Sequence, residues 1–317
     1  MKILVVDDDT VFQEIMAQAL RALGQFDVTK ASSAAAALET LQSQSDLFEC
    51  IFLDIQMPDM DGISLCQVLR GFPSYRRVPI VMVTSQSSKV HIDDAFAAGA
   101  TDYVIKPLNR LDLKARVGMV ERLVEERRHV QLLTSQAGRR VEADPIDIDF
   151  DRPVMLADFD RGIEFMALEN YLLTLGRRGS MSMSAFGFHV ENAPIFFAKA
   201  SRSGFVDMLG DVALVISDVL KTDDVHLAYA GAGNFVGVTS RELSSSREEM
   251  STMIEIGLND FEGFYSPDRL PTPKVLVGPM VKSPMFSFGS PTRILARAIL
   301  LAQERPEKRR GMRGRAA

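Results

Sequence analysis

The chain has 317 residues, enough for two domains, and its apolar and charged fractions of 46% and 25% are ordinary for globular proteins. Its net charge of −6 excludes a general electrostatic attraction to nucleic acid or to an anionic membrane. The apolar runs are too short to span a bilayer, and the first residues are too acidic for a signal peptide. We therefore expect a cytoplasmic protein with no membrane partner. Cys50 and Cys66, the two cysteines, are expected to be buried reduced thiols, with a disulfide or a metal as the alternative.

The first 120 residues alternate short apolar runs with amphipathic helical patterns. The runs predict strands at 3–8, 26–30, 50–54, 79–84 and 102–106. The patterns between them predict helices near 11–23, 33–43, 62–71, 88–98 and from 109 onward. This alternation is typical of an α/β domain, with a parallel sheet between two layers of helices.

Polar residues end four of these predicted strands: Asp7 and Asp8, Asp54, Thr84 and Lys106. The carboxyl ends of parallel strands meet at one edge of a sheet, which is where open α/β sheets carry their sites. Taken singly, the residues have simpler readings, because Asp7 and Asp8 could cap the next helix and Lys106 could be a solvated lysine. Taken together, they favour a functional site. The other acids of the region are read as loop and cap residues, namely Asp59, Asp61, Asp93, Asp94 and Asp102.

Four motifs carry these residues in order. They are Val-Val-Asp-Asp at 5–8, Leu-Asp-Ile-Gln-Met-Pro-Asp-Met-Asp-Gly at 53–62, Val-Thr-Ser at 83–85 and Lys-Pro at 106–107. Together they resemble the receiver domain of bacterial two-component response regulators. The resemblance implies a flavodoxin-like, doubly wound, five-stranded parallel sheet over residues 1–120. It also implies Asp54 as the phosphoacceptor, a histidine kinase or phosphotransfer protein as partner, and a cis bond between Lys106 and Pro107.

The charges at the strand ends suit this chemistry. Two carboxylates about 4 Å apart repel by roughly 4 kcal/mol at an effective dielectric near 20, so the cluster needs a cation. We expect Mg²⁺, with Asp8 and Asp54 as direct ligands, the Gln56 backbone carbonyl as a third, and Asp7 acting through water. One Asp54 oxygen stays free to attack a phosphoryl group. The Lys106 ammonium and the hydroxyl of Thr84 would stabilise the transferred group.

Tyr103 is similar to the aromatic switch residue of the family, which rotates inward when the hydroxyl at Thr84 moves toward the phosphate. The alternative is a strand tyrosine packed on the surface. In the family, the face that carries Tyr103, Lys106 and the last helix is the usual dimerisation surface. We therefore expect a homodimer through the receiver and the helix that follows it.

Residues 121–152 read as a connector. The last helical pattern continues to about Gln136 and repeats Leu113, Val117, Val120 and Val124 at coiled-coil spacing. A parallel coiled coil and a helix docked on its own domain are left as equal alternatives. Residues 144–153 alternate acidic with apolar residues between two prolines, which favours an edge strand or an acidic linker over a metal site.

The second half predicts an α+β domain. Helices are expected at 154–176, 208–220, 246–257 and 291–303, and strands at 181–190, 225–229, 235–239 and 274–277. The glycine-rich segment 230–234 reads as a hairpin turn. We expect an antiparallel-rich sheet with its helices on one face.

Landmarks in residues 153–303 resemble, in order and spacing, the GGDEF domain of diguanylate cyclases. They are the segments 156–165, 188–192, 209–214 and the hairpin 231–235. The resemblance implies a nucleotide-cyclase fold, but the hairpin has Ala232, Gly233 and Asn234 where metal-binding acids should stand. Ser184, Ala185 and Phe186 replace the acid of the first strand. We therefore expect a degenerate, catalytically inactive module that signals by binding a protein.

Two alternatives stay open for this domain. One is an active, divergent diguanylate cyclase that makes cyclic di-GMP. The other is an effector that binds GTP or cyclic di-GMP, although Lys221 replaces the arginine of the family's inhibitory site. DNA is an unexpected partner, because no helix-turn-helix pattern with a basic recognition face follows residue 120. The basic segment 304–317 reads as a disordered tail.

Overall fold

The computed structural model describes residues 1–43, 46–85, 89–136, 148–156, 162–221, 223–265, 270–282 and 290–304. Three predictions lie outside these ranges: the start of the acidic linker before residue 148, half of the cyclase-like opening segment (157–161 of 156–165), and the tail from residue 305. In the described part of the chain, every helix is either too short or too polar to cross a lipid bilayer.

The first sheet has the predicted strands, in the order β2-β1-β3-β4-β5, and every neighbouring pair is parallel. The strands are β1 Lys2–Val6, β2 Asp27–Ala31, β3 Cys50–Asp54, β4 Ile80–Thr84 and β5 Asp102–Ile105. The helices are α1 Thr10–Leu23, α2 Ala34–Ser43, α3 Gly62–Gly71, α4 Lys89–Ala97 and α5 Arg110–Gln136. The five-stranded parallel α/β prediction is confirmed.

Both faces of this sheet are covered, which explains why β3 and β4 are apolar without alternation. Every residue of these two strands is buried. One core lies between the sheet and α2, α3 and α4, and the other lies between the sheet and α1 and α5. Cys50 and Cys66 are buried free thiols in these cores, as expected.

Helix α5 continues to Gln136, as its sequence pattern predicts. Leu113, Val117, Val120 and Val124 are buried against α1 and the sheet of the same chain. Up to Val124, the structure therefore has the docked helix of the two alternatives. The apolar residues that could have formed a coiled coil are already used in the receiver core.

The second sheet is antiparallel and has the order β10-β6-β8-β7, with the short β9 pairing to β6. Its strands are β6 Ser184–Val190, β7 Val225–Gly231, β8 Asn234–Thr239, β9 Val275–Val277 and β10 Val281–Lys282. Its helices are α6 Phe165–Thr174, α7 Gly176–Met181, α8 Ala193–Lys199, α9 Arg202–Val219, α10 Arg247–Asn259, α11 Glu262–Tyr265 and α12 Arg293–Gln303. Both β6 and β7 are antiparallel to β8, so they run parallel to each other and are joined by the crossover α8–α9.

Three expectations for this domain were wrong. The one or two helices expected over 154–176 begin only at Phe165, and the described residues before it, 154–156 and 162–164, are not helical. Helix α9 begins at Arg202 rather than at residue 208, because Ser201 caps it by accepting from the Gly204 amide, and α8 was missed. The helices also cover both faces of the sheet. Ala185, Ala228 and Val236 pack toward α6 and α12, whereas their strand neighbours pack toward α9 and α10. The sequence did not predict that the face toward α6 and α12 is buried, because its residues are small. Alanine and glycine give only a weak alternation of apolar and polar positions.

The two sheets are not independent, because α6 of the second half lies against α4 and β5 of the first. Buried residues of α6, such as Leu168 and Leu172, belong to the same hydrophobic cluster as Phe96 and Tyr103 of the first half. A shared core of this kind fixes the relative position of the two halves.

Candidate functional site

Three carboxylates meet at the carboxyl edge of the parallel sheet. Asp7 and Asp8 follow β1, and Asp54 ends the neighbouring β3, so the strand pairing alone places them side by side. Each offers an oxygen, and these oxygens all lie within 4.8 Å of one another. Asp7 and Asp54 are buried, at 1% and 4% exposure, while Asp8 is exposed to solvent. The cluster therefore has one open side and one side set in protein.

Neither Asp7 nor Asp8 caps α1. The cap is Asp9, whose carboxylate accepts from the amides of Val11 and Phe12. The simpler reading of the acid pair as helix caps is thus wrong by one residue. Gln13 was missed by the sequence argument, and its side-chain amide holds the Asp7 backbone carbonyl at 2.6 Å.

Lys106 is the counter-charge of the cluster. Its ammonium nitrogen lies 2.7 Å from an Asp7 oxygen and 2.8 Å from an Asp54 oxygen. The same nitrogen lies 4.0 Å from the centre of the Phe12 ring, a cation–π contact that the sequence did not suggest. The bond from Lys106 to Pro107 is cis, as expected.

Burial would lower the pKa of Lys106, but its hydrogen bonds to Asp54 and Asp7 outweigh burial and raise that pKa above the ordinary lysine value. Burial, together with the charge of Asp7, raises the pKa of Asp54 even though Lys106 opposes it. A divalent cation among the carboxylates would lower the pKa of Asp54 again. The site thus places the positive charge of Lys106 beside the Asp54 carboxylate. A second cation would stabilise the ionised form of that carboxylate further.

Gln56, whose backbone carbonyl is the third expected direct metal ligand, lies in the exposed loop that follows β3. Its backbone amide hydrogen-bonds the Asp54 carboxylate, and its side-chain oxygen accepts from the Ser85 hydroxyl at 3.0 Å. This loop returns on itself where the Gly62 amide donates to the Ile55 carbonyl at 2.9 Å. Asp61 then caps α3, as expected for a cap acid.

Thr84 and Tyr103 lie next to the cluster and are both fully enclosed, at 0% and 1% exposure. Thr84 ends β4, the strand beside β3, and its hydroxyl is hydrogen-bonded to the Tyr103 hydroxyl. Burial raises the pKa of Tyr103 to about 12, so its hydroxyl keeps its proton. In this structure Tyr103 points inward, so the alternative of a surface-packed tyrosine is wrong.

Two acids that the sequence assigned to loops and caps have structural roles instead. Asp102 is completely buried and accepts two hydrogen bonds from Arg116 of α5, at 2.6 and 2.8 Å. Asp93 accepts from the hydroxyl of Tyr171, which belongs to α6 in the second half. Both partners are distant in sequence, and no local pattern reveals them.

The hairpin between β7 and β8 is the candidate site of the second half. Gly231, Ala232 and Gly233 all have positive φ, at 90°, 51° and 75°. The Ala232 amide donates to the Phe150 carbonyl at 2.6 Å, and a Cβ on Gly231 would lie 2.4 Å from the Asp151 carbonyl oxygen. The chain itself therefore lies directly against this turn.

Asn234 is the polar residue of the turn at 231–234. Asn234 accepts from the Gln303 amide at 3.0 Å and is hydrogen-bonded to a ring nitrogen of His189 at 2.9 Å. Its own amide donates to the Gly231 carbonyl. The oxygen and the amide group of the Asn234 side chain therefore both have hydrogen-bond partners within the protein.

Comparison with known proteins agrees with the geometry of the first half. Residues 3–118 match the family model described as response regulator receiver domain. Chemotaxis protein CheY1 of Helicobacter pylori is 32% identical over 120 residues, which are 38% of this chain and 96% of that protein. Chemotaxis protein CheY of Pseudomonas aeruginosa is 34% identical over 117 residues, or 37% of this chain and 93% of that protein.

A longer match extends past the receiver. The probable transcriptional regulator ycf27 of Guillardia theta is 31% identical over 182 residues, which are 56% of this chain and 67% of that protein. Among solved structures, the receiver domain of the sensor histidine kinase PA1611 from Pseudomonas aeruginosa, crystallised with a coordinated magnesium ion, is 28% identical. It covers 39% of this chain and 97% of that one, with a TM-score of 0.35.

The strand-end carboxylates, the lysine that pairs with them and the family match over residues 3–118 agree with one another. Through this part of its sequence, the chain belongs to the response regulator receiver family.

Proposed function

We propose that this chain is a two-component response regulator that accepts a phosphoryl group on Asp54. A single observation carries the proposal: Lys106 is held within 2.8 Å of Asp54, in the same cluster that brings Asp7 and Asp8 together. A receiver domain implies a histidine kinase or a phosphotransfer protein as the donor. The exposed side of the cluster, at Asp8 and Gln56, is where such a donor would approach.

The donor set fits Mg²⁺. Hard carboxylate oxygens at an open edge, with room for water, are the environment this ion selects. Asp8 and Asp54 would bind it directly, with the Gln56 carbonyl, and Asp7 would bind through water. The bound ion would neutralise the carboxylates and the charge of the incoming phosphoryl group.

The chain's own residues account for the remaining chemistry. One ionised Asp54 oxygen attacks the phosphorus, the bond from phosphorus to the donor's leaving group breaks with its electron pair, and an acyl phosphate results. Lys106, now paired with Asp7 and Asp54, would turn to a phosphoryl oxygen. The Thr84 hydroxyl would donate to another. Phosphoryl transfer needs this positioning and charge balance more than it needs covalent help.

The test is the mass of the intact protein after incubation with acetyl phosphate and MgCl₂. We expect one phosphoryl group on the wild type and on Asp59→Asn, a control in the exposed loop beside the site. We expect none on Asp54→Asn, and none on the wild type in EDTA. A phosphoryl group on Asp54→Asn would refute Asp54 as the acceptor.

We also propose that the second half is a degenerate, catalytically inactive GGDEF-like module. The crossover from β6 to β7, with β8 between them, fits this fold, and the turn at 231–233 fits its signature hairpin. The absence of an acid between Val225 and Arg241 argues against metal-dependent cyclisation of GTP. The hydrogen bond from the Ala232 amide to the Phe150 carbonyl shows that the segment at Phe150 covers the turn.

Incubation with GTP and Mg²⁺, followed by chromatography of the nucleotides, tests this proposal. We expect the GTP to stay intact. Cyclic di-GMP would mean that the module is an active cyclase. Titration calorimetry of the full chain with GTP and with cyclic di-GMP tests the binding alternative, for which we expect no heat of binding.

The output of such a module is an interaction with a protein. The receiver face that would form a homodimer is occupied by α6 in this structure. We therefore propose that a dimer forms only when α6 has left that face. Light scattering after size-exclusion chromatography, with and without beryllium fluoride, should show a higher mass only with this phosphoryl mimic. An unchanged mass would contradict the dimer.

A further inference from the structure

An acidic cavity of about 280 Å³ lies between the two halves of the chain. Helix α4 of the receiver lines one side of it with Asp93, Asp94 and Ala97, and residues 223–226, at the start of β7, line the other. Four of these seven residues are aspartates, two from each half. The cavity shares no residue with the strand-end site, and the proposed phosphoryl transfer does not use it.

The charge of these aspartates is only partly balanced. Lys89 pairs with Asp93 at 2.7 Å, whereas the other three aspartates have no such ion pair within the described ranges. Asp223 accepts from the amide and the hydroxyl of Ser244, which are neutral groups. Lys221, the nearest lysine in sequence, is bonded to Asp218. Like charges that face each other across a cavity repel, so a cation between them would stabilise the structure.

His226 is a second, independent indication of a ligand. It lines the cavity and is 7% exposed, and its Nδ1 has no hydrogen-bond partner in the part of the chain that the structure describes. Its other ring nitrogen, Nε2, lies 3.9 Å from an Asp93 oxygen, so this carboxylate favours a proton on Nε2. Nδ1 is then an acceptor without a donor, although buried polar atoms usually have a partner.

The chemistry of the cavity wall specifies the kind of ligand. Ionised carboxylates and the bare Nδ1 only accept hydrogen bonds, so the ligand must bring N–H donors and positive charge. A metal ion fits poorly, because the described residues bring three carboxylate or imidazole ligands close enough for one ion only at the strand-end site. Wider spacing suits several ammonium groups along one chain. Ala97 and Val225 complete the lining and offer apolar contact to methylene groups.

We propose that this cavity binds an aliphatic polyamine, whose ammonium groups pair with Asp94 of the receiver and Asp224 of the second half. One ammonium group would donate to Nδ1 of His226. Because such a ligand contacts both halves, its binding would stabilise the contact between them. The site needs neither Asp54 nor a phosphoryl group, so it stands independently of the proposed function.

The test is titration calorimetry of the full chain with spermidine, in metal-free buffer of low ionic strength. Asp94→Asn and Asp224→Asn should each weaken binding about fivefold, the effect of losing one exposed ion pair. Both positions are exposed, so these variants should fold normally. Asp27→Asn and Asp260→Asn are the matched controls, one exposed aspartate from each half, and should bind spermidine like the wild type.

His226→Phe tests the acceptor nitrogen. Its ring would still pack on Tyr171, whose ring centroid lies 4.7 Å from that of His226, but both nitrogens are removed. We expect weaker binding of spermidine with an unchanged circular dichroism spectrum.

Thermal unfolding gives a second readout that does not depend on heats of binding. Spermidine should raise the Tm of the wild type, and it should raise the Tm of Asp94→Asn and Asp224→Asn less. Without spermidine, these two variants should be at least as stable as the wild type, because each relieves repulsion across the cavity.

Asp8→Asn shows whether spermidine binds at the strand-end carboxylates instead. Weaker binding in this variant, with wild-type affinity in both Asp94→Asn and Asp224→Asn, would overturn the proposal. Equal losses in the two control variants would overturn it too, because they would indicate general attraction to an acidic chain. Heat from CaCl₂ that depends on Asp94 and Asp224, with none from spermidine, would mean a metal site in place of a polyamine site.

Discussion

Lys106 is the residue on which the charge balance of the strand-end site depends. Without it, two nearly buried carboxylates, Asp7 and Asp54, would face each other with no positive partner. Removing one member of a buried charge cluster typically costs about 3 kcal/mol or more. The two carboxylates therefore need a cation beside them, which can be the Lys106 ammonium or a bound metal ion.

We expect Lys106→Met to lower the free energy of unfolding by about 3 kcal/mol in EDTA. MgCl₂ should recover much of this loss, because the ion can take the place of the ammonium. Thermal unfolding with and without MgCl₂ measures the effect. Lys30→Met is the control, since Lys30 pairs with Glu14 on the exposed surface and should matter little. An equal response to Mg²⁺ in Lys106→Met and the wild type would contradict this account.

Gly62 shapes the loop that carries Asp54. A Cβ at this position would lie 2.0 Å from the Asp54 carbonyl oxygen, whereas a Cβ on Gly71 would meet nothing within 4 Å. Gly62→Ala should cost about 3 kcal/mol or more, because the backbone of the phosphoacceptor would have to move. Gly71→Ala should be neutral or slightly stabilising. Urea unfolding followed by circular dichroism compares them, and similar losses would contradict the argument.

At the residue scale, the strand-end site could be predicted from the sequence. Asp7, Asp54, Thr84 and Lys106 each follow or end a predicted strand, and in a parallel sheet these strand ends lie at the same edge. Phe12, Gln13 and Asp9 could not be assigned in the same way. Their roles depend on the exact turn at which α1 begins. The direction of the Tyr103 side chain likewise depends on what packs around it.

At the scale of elements, a buried ion pair joins α5 to the sheet. Arg116 donates two hydrogen bonds to Asp102 at the start of β5, and Asp102 has no exposed surface. Burial raises the pKa of Asp102 despite the charge of Arg116. The pair thus holds the connector helix in place at a cost in desolvation.

Arg116→Ala should lower the free energy of unfolding by about 3–5 kcal/mol near neutral pH, because it leaves the Asp102 carboxylate buried and unpaired. A raised folded-state pKa means that the native protein binds the proton more tightly than the unfolded chain. Stability of the variant should therefore recover as the pH falls from neutral. Urea unfolding at several pH values measures this. A deficit that grows toward acid pH would contradict the argument.

The elements of the first half were predictable because strands and helices alternate with clear apolar runs. The second half was less so. Its sheet has alanine and glycine on the face toward α6 and α12, and a Cβ on Gly187 would lie 2.7 Å from the Ala298 carbonyl oxygen. Close helix packing of this kind uses small residues, which carry little hydrophobic signal.

At the scale of the whole molecule, the contact of α6 with α4 and β5 should make the two halves unfold together. Tyr171 of α6 contributes a hydrogen bond to Asp93 and a ring contact to Phe96, both in the receiver, and its ring also contacts His226 of β7 within the second half. Tyr171→Ala should therefore cost about 3 kcal/mol or more and separate one calorimetric transition into two. Ile256→Ala, at an exposed position of α10, should leave one transition. Two transitions in the wild type would contradict the shared core.

No sequence pattern pointed to these contacts between α6 and the receiver. Asn170, whose side-chain amide donates to the Thr101 carbonyl, and Tyr171 read as ordinary members of a helix, and Asp93 read as a loop or cap acid. Their roles arise from contacts 69 and 78 residues apart along the chain, which only the assembled structure brings together.

The central claim is that Asp54 carries the phosphoryl group, and chemical trapping of that group tests it most directly. The protein would be phosphorylated with acetyl phosphate and MgCl₂ and then treated with borohydride, which reduces an acyl phosphate to the alcohol, and its peptides would be sequenced by mass spectrometry. The account predicts homoserine at position 54, with Asp7, Asp8 and Asp59 unchanged. Homoserine at another aspartate, with position 54 intact, would contradict it.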